Sequence, residues 1–173
     1  STHSDFDNIF DGNGGCVAAW IYPKSLGEAT AGRIFGKYDW SLYLSAVSGT
    51  NAKLLFFHDW TTSYTQQDDA GFSVPLNAWT HVAVTYHADG SSSDTAILYV
   101  NGVAIAQSMT TTGSSAREND DDQTFAIGNR FTSTDRTFDG YIVDAKVYKN
   151  VLVTQPQIAA MAKKINVEST DPD

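Results

Sequence analysis

Three short stretches carry residue types suited to holding a sugar: Tyr38-Asp39-Trp40, His58-Asp59-Trp60 with Tyr64, and Asn129-Arg130 with Arg136. A sugar ring offers an apolar C–H face and a girdle of hydroxyls. A site for it pairs an aromatic platform with Asp, Asn, Arg or His that hydrogen-bond in fixed directions. The first two stretches lie at the opening and closing ends of one expected hairpin, Trp40 to Phe57. An antiparallel hairpin sets those ends side by side, so Trp40 and Trp60 share one sheet edge. Trp40 also falls in register with Leu42 and Leu44, which leaves open whether its ring faces core or solvent. Trp60 has no alternation to draw it inward and sits among Thr, Ser, Gln and Asp, so it is expected at the surface. The candidate sugar contacts are Asp39, Trp40, His58, Asp59, Trp60, Tyr64, Asn129 and Arg130.

Other chemistry finds less support. Retaining glycoside hydrolysis needs two carboxyl groups about 5–5.5 Å apart. The chain has three glutamates, Glu28, Glu118 and Glu168, each in a predicted loop or tail, and no strand offers Asp at i and i+2. His81 and His87 share a strand face with Thr85, while His3 and His58 are scattered, and there is no Gly-x-Ser-x-Gly elbow. Zinc wants three or four converging His or Cys ligands, which this pattern does not offer. Cys16, the single cysteine, has no basic neighbour in sequence and reads as a buried, inert thiol.

The elements that must position these residues are strands. Val82, Val84 and Tyr86 alternate with His81, Ala83 and Thr85, and Ile97-Leu98-Tyr99-Val100 returns through Asn101-Gly102 into Val103-Ala104-Ile105-Ala106. Asn-Gly between alternating runs is a strong hairpin signal, because a type I′ turn needs positive φ at both central residues. This meander, joined by a polar loop over 88–94, is the spine of a sheet. Further strands are expected at Cys16–Tyr22, apolar on both faces, at Trp40–Leu44, Lys53–Phe57, Thr124–Ile127 and Tyr141–Tyr148, with a short one near Phe6–Phe10. His58 to Ala70 reads as a loop. Thr154, Pro156 and Gln157 start one helix with a capping box, and Ile158, Met161, Ala162 and Ile165 form its apolar stripe.

Length and composition fit one domain over 1–167, followed by a disordered tail at 168–173. Hydrophobic residues at 42% and aromatics at 12% are ample for a sandwich core. No apolar run is long enough to span a membrane. A net charge of −9 argues against nucleic acid, whose phosphates are met by clustered Lys and Arg. The chain opens at Ser1 without an apolar leader, which points to a processed form or a fragment.

Trp79-Thr80-His81-Val82-Ala83-Val84-Thr85-Tyr86 followed by Leu98-Tyr99-Val100-Asn101-Gly102 resembles the signature of laminin G-like, concanavalin A-like jelly-roll domains. Ala19-Trp20-Ile21-Tyr22-Pro23 resembles an early strand of that family, Ile127-Gly128-Asn129-Arg130 its Ile-Gly strand, and Phe138 to Asp144 with Val147-Tyr148 its closing strand. The resemblance runs from about Phe10 to Ala162. It implies an all-β, two-sheet antiparallel jelly-roll sandwich with one short C-terminal helix. Such domains mostly bind glycans or proteins. The catalytic relatives, of the laminarinase type, carry a Glu-x-Asp-x-x-Glu-like run that is missing here.

The resemblance also implies calcium near the sheet rim, for which Asp11, Asn13, Asp139 and Asp144 are the matching oxygen donors. Val143 and Ala18 stand where the family commonly has acidic residues. The run Asp120 to Asp122 is a further candidate, although consecutive charges usually form a solvated loop. The reading is thus a non-catalytic, lectin-like carbohydrate-binding module, extracellular or on a virion surface, facing a glycan or glycoprotein, with a homo-oligomer open. A structural or adhesive protein-interaction module is the alternative, and a glycoside hydrolase the third.

Overall fold

The computed structural model describes residues 4–88, 95–111, 116, 118–121, 123–130 and 135–163. The strands in chain order are β1 (Gly15–Pro23), β2 (Arg33–Gly36), β3 (Trp40–Ser48), β4 (Asn51–Trp60), β5 (Ser63–Asp69) and β6 (Val74–Pro75). They continue as β7 (Thr80–Tyr86), β8 (Ile97–Val100), β9 (Val103–Ala104), β10 (Gln107–Thr111), β11 (Ala126–Ile127) and β12 (Gly140–Lys149), before helix α1 (Gln155–Met161). Two antiparallel sheets result. One has the order β12-β1-β7-β8-β9, the other β10-β5-β4-β3-β2-β11, with β6 paired to the start of β4. The sandwich expected from the sequence is what forms.

Alternation decides what lies between the sheets. Val17, Ala19 and Ile21 of β1 and Val82, Val84 and Tyr86 of β7 meet Trp40, Leu42 and Leu44 of β3 and Leu54 and Phe56 of β4 in one buried cluster. Phe10 plugs its end, edge-on to Trp40 at 5.0 Å and to Phe56 at 5.3 Å. The N-terminal stretch reaches that position without a strand. Residues 4–6 form a 3-10 turn, and Ile9 and Phe10 are buried from a loop, contrary to the short strand expected there.

The opposite face of β1 and β7 is also covered, as the two apolar faces of β1 required. Cys16, Ala18, Ala83 and Tyr99 pack under Val153, Ile158 and Met161 of the C-terminal segment. Small residues there let the helix approach. Burial pushes the Cys16 thiol up to about 12, so it is an inert packing group. At the start of α1, Gln157 Oε1 accepts from the Thr154 backbone N–H at 2.8 Å and from its hydroxyl at 2.9 Å. Ile165 and the tail at 168–173 lie outside the described residues.

The β8–β9 turn is built as its sequence dictates, with φ of 49° at Asn101 and 81° at Gly102. Gly102 has a second constraint, since a Cβ there would stand 2.7 Å from Ala159 Cα on the helix.

Candidate functional site

The β3–β4 hairpin pairs Trp40 with His58, so the two aromatic stretches do lie side by side. Their rings, however, point into the sandwich. β4 continues past Phe57 to Trp60, so Leu54, Phe56, His58 and Trp60 all face inward. Trp40 is 2% exposed and Trp60 4%, which corrects the expected surface position of Trp60. The Trp60 indole N–H donates to Thr65 Oγ1 at 3.0 Å, and its ring meets His58 edge-on at 5.2 Å.

The stretch read as a loop from His58 to Ala70 is instead the end of β4, a turn at Thr61-Thr62, and β5. Alternation was present but disguised: Thr65, Gln67 and Asp69 are the inward residues of β5, all buried, all polar. A strand whose core side is polar shows no hydrophobic period. Asp39 and His58 are likewise fully buried, joined at 3.1 Å between His58 Nε2 and Asp39 Oδ2. They brace the site from within, and Asp39 also borders the open cleft beside Tyr38.

The groups left on the outer face of this sheet build a different platform. Tyr64 is 41% exposed and stacks on Phe57 at 5.4 Å, directly across β4–β5 from the half-buried Asp59. Tyr38, in the β2–β3 turn, is 47% exposed. Arg33 opens β2 and lays its guanidinium over the Tyr43 ring, 3.7 Å from the centroid. Between them runs an open cleft of about 90 Å³, lined by Arg33, Tyr38, Ser41, Phe57, Asp59 and Arg130 among others. Past Tyr38 a second hollow of about 360 Å³ continues, shared by Asp59, Arg130, Glu118 and Trp60. Arg130 is exposed, with Nη1 3.8 Å from Asp135 Oδ2, and Asn129 Oδ1 accepts from the Arg130 backbone N–H at 2.7 Å. Burial raises the pKa of Asp59, and the nearby carboxylates of Asp39 and Glu118 raise it further against the opposing pull of His58.

The structure thus brings Asp59 and Arg130 to one cleft, keeps Tyr64 beside Asp59, and sends Asp39, Trp40, His58 and the body of Trp60 to its floor. Arg33, Tyr38, Ser41 and Glu118 complete it. Only Tyr38 stood near the sequence signal. Arg33 and Ser41 belong to strands whose inward halves looked like plain core, and Glu118 arrives from a loop distant in sequence.

The calcium set does not converge. Asp11 and Asn13 precede Gly15, which pairs with Lys149, while Asp139 precedes Gly140, which pairs with Pro23. Eight residues of extended strand separate those ends, about 26 Å. Asp139 accepts from Ser25 Oγ at 2.7 Å, and Asp144 sits in mid-strand with a left-handed φ of 51°, ion-paired to Lys146. No three His, Cys, Asp or Glu among the described residues are placed to hold a metal ion. These four positions do not fit one cation.

Asp120, read as part of a solvated acidic run, is fully buried. Its Oδ1 accepts from the Asn8 backbone N–H at 2.6 Å and lies 3.3 Å from the ammonium of Lys37. That ammonium also meets Asp7 Oδ1 at 2.5 Å and the Phe6 carbonyl at 2.9 Å. Lys37 so ties the N-terminal segment and the 118–121 loop to the turn that carries Tyr38. Asp121 is exposed and bonds Asn8, and residue 122 is outside the described set.

Among solved structures, the chain is similar to the CBM40 domain of the Ruminococcus gnavus IT-sialidase bound to alpha2,3 sialyllactose, with a TM-score of 0.64 and 14% identity over 86% of this chain and 81% of that one. The same domain bound to alpha2,6 sialyllactose aligns with a TM-score of 0.58. The receptor-binding domain of botulinum neurotoxin type G matches at 0.56 and 12% identity, over 86% of this chain but 37% of the other. At such identities the likeness is one of fold. No curated protein matches the sequence. The family described as the concanavalin A-like lectin/glucanases superfamily matches residues 2–159, nearly the whole chain, and the protein belongs to it.

Proposed function

We propose that the protein is a non-catalytic carbohydrate-binding module that engages a glycan or glycoprotein surface outside the cell through the cleft between Arg33, Tyr38, Asp59 and Arg130. One observation carries the reading: the exposed ring of Tyr38 and directional polar groups share one open cleft on the outer face of a sheet whose inner face is core, with exposed Tyr64 paired across the strands to Asp59. Tyr38 and Tyr64 are the rings available to a sugar face, and Asp59 and Arg130 supply acceptor and donors. That the CBM40 neighbours hold sialyllactose on the same fold supports a glycan as the partner.

The test is a glycan array on the 173-residue chain, followed by Tyr38→Ala. A bound glycan whose affinity falls at least tenfold, about 1.4 kcal/mol, with Tyr38→Ala supports the reading. No binding to any glycan, together with defined oligomers in solution, would favour the structural or adhesive module.

A second reading, glycoside hydrolysis, is favoured by one feature. Asp59 and Glu118 line the same hollow, and burial, with a contribution from the Glu118 charge, raises the Asp59 pKa. Release of reducing sugar from a bound glycan, abolished by Asp59→Asn, would replace the binding reading with this one.

A further inference from the structure

The cleft is electrically divided. Its cationic wall is built by β2 and the segment before β12. Arg33 and Arg130 line the same cleft, and the Arg136 charge is also felt at Arg33, whose backbone N–H donates to the Arg136 carbonyl at 2.9 Å. Three arginines gather in a chain whose net charge is −9. Burial, then repulsion from Arg136 and Arg130, lowers the Arg33 pKa despite the help of Tyr43. Arg33 Nη1 is buried without a hydrogen-bond partner, and so is Arg136 Nε. Asp135 Oδ2 lies 3.8 Å from Arg130 Nη1, at an exposed position. Arg136 Nη1 donates to the Ala29 carbonyl at 3.3 Å.

The same cleft also has an acidic wall. Asp59, at the end of β4, lines it and shares the adjoining hollow with Glu118, Tyr38 and Arg130. A neutral sugar would leave the arginine wall uncompensated in a partly desolvated cleft, whereas an anion placed there satisfies a planar donor fork. The acidic wall would repel that anion and accept hydrogen bonds from hydroxyls instead, which fixes the ligand's direction.

We infer that the cleft takes a sugar residue bearing a single anionic group, carboxylate or sulfate, with the anion against Arg33 and Arg130 and its hydroxyls toward Asp59. This rests on the glycan-binding reading above and narrows it to acidic glycans.

Isothermal titration of the 173-residue chain tests it with three probes: an oligosaccharide ending in a carboxylated sugar, the same compound as its methyl ester, and a sulfated counterpart. The acid or the sulfate is expected to bind at least tenfold tighter than the ester, with affinity falling as salt rises. Whichever of the two anions binds tighter identifies the natural group. Arg33→Lys keeps the charge but loses the fork. It and Arg130→Gln, at an exposed position, are each expected to bring the anion's affinity down to that of the ester. Affinities of both the acid and the sulfate equal to that of the ester, or an anion preference that survives Arg130→Gln, overturn the inference while leaving glycan binding intact. Absence of binding to all three probes and to neutral glycans overturns both.

Discussion

Asp39 and His58 meet at 3.1 Å in the interior, each from a stretch whose residue types suit a sugar-binding rim. The Asp59 backbone N–H donates to the Asp39 carbonyl at 2.6 Å, so the buried pair and the cleft residue Asp59 are held by the same rung. The pair leaves Asp39 Oδ1 and His58 Nδ1 without partners, so neither side chain has a substitute bond. His58→Ala is expected to cost about 1–3 kcal/mol, chiefly by orphaning the buried carboxylate. Chemical denaturation of both single variants and the double one checks this. The double variant should cost less than the sum of the two.

Trp60 and Tyr38 separate packing from recognition. Trp60→Ala removes a side chain that is 4% exposed and is expected to cost about 3–5 kcal/mol of stability. Tyr38→Ala, at 47% exposed, should change stability by less than about 0.5 kcal/mol. Urea unfolding of the two variants decides it, and a Trp60→Ala protein as stable as wild type would contradict the buried position.

Gly102→Val meets two obstacles. Its φ of 81° is unfavourable for any residue with a Cβ, by about 1–2 kcal/mol, and more for a branched one. The added Cβ would also press on Ala159, shifting α1 off the sheet. Greater loss of stability in Gly102→Val than in Gly49→Val is expected, since a Cβ at Gly49 (φ 63°) meets nothing within 4 Å.

The pH response has two opposed parts. Burial lowers the His81 pKa to about 4, with Lys146 adding to the effect. An unfolded histidine titrates near 6.5, so this group's contribution is fully present above that value and is lost as pH falls toward 4, by up to about 3 kcal/mol. His81→Phe, which keeps a ring against Trp20, should flatten the decline of stability between pH 7 and 4.5.

Asp120 has the opposite sign. Burial, then the Asp39 charge, pushes its pKa up to about 6 against the pull of Asn8 and Lys37. Its contribution is therefore present in acid and lost as pH rises from about 4 through 6. Asp120→Asn should remove that component, so that the difference between wild type and variant in melting temperature moves in favour of wild type as the pH is lowered from 7 to 5.

The sequence by itself determined the strands whose two faces differ in polarity. Val82, Val84 and Tyr86 against His81, Ala83 and Thr85 is one such case, and the Asn101-Gly102 turn and the Thr154–Gln157 box are local chemistry that no tertiary context had to supply. The doubly covered β1 was legible for the same reason, because both of its faces are apolar. What only the tertiary structure decided is where polar residues go. Thr65, Gln67, Asp69, Asp39, His58 and Asp120 look wet in the sequence and are buried in the fold. For several the partner is supplied from elsewhere: Trp60 for Thr65, His58 for Asp39, Lys37 for Asp120. Hydrophobic periodicity measures the transfer of a side chain on its own, whereas a polar group goes inside when a partner from another segment meets it there. That rule hid β5, turned Trp60 inward and left the cleft to Arg33, Tyr38, Asp59 and Arg130.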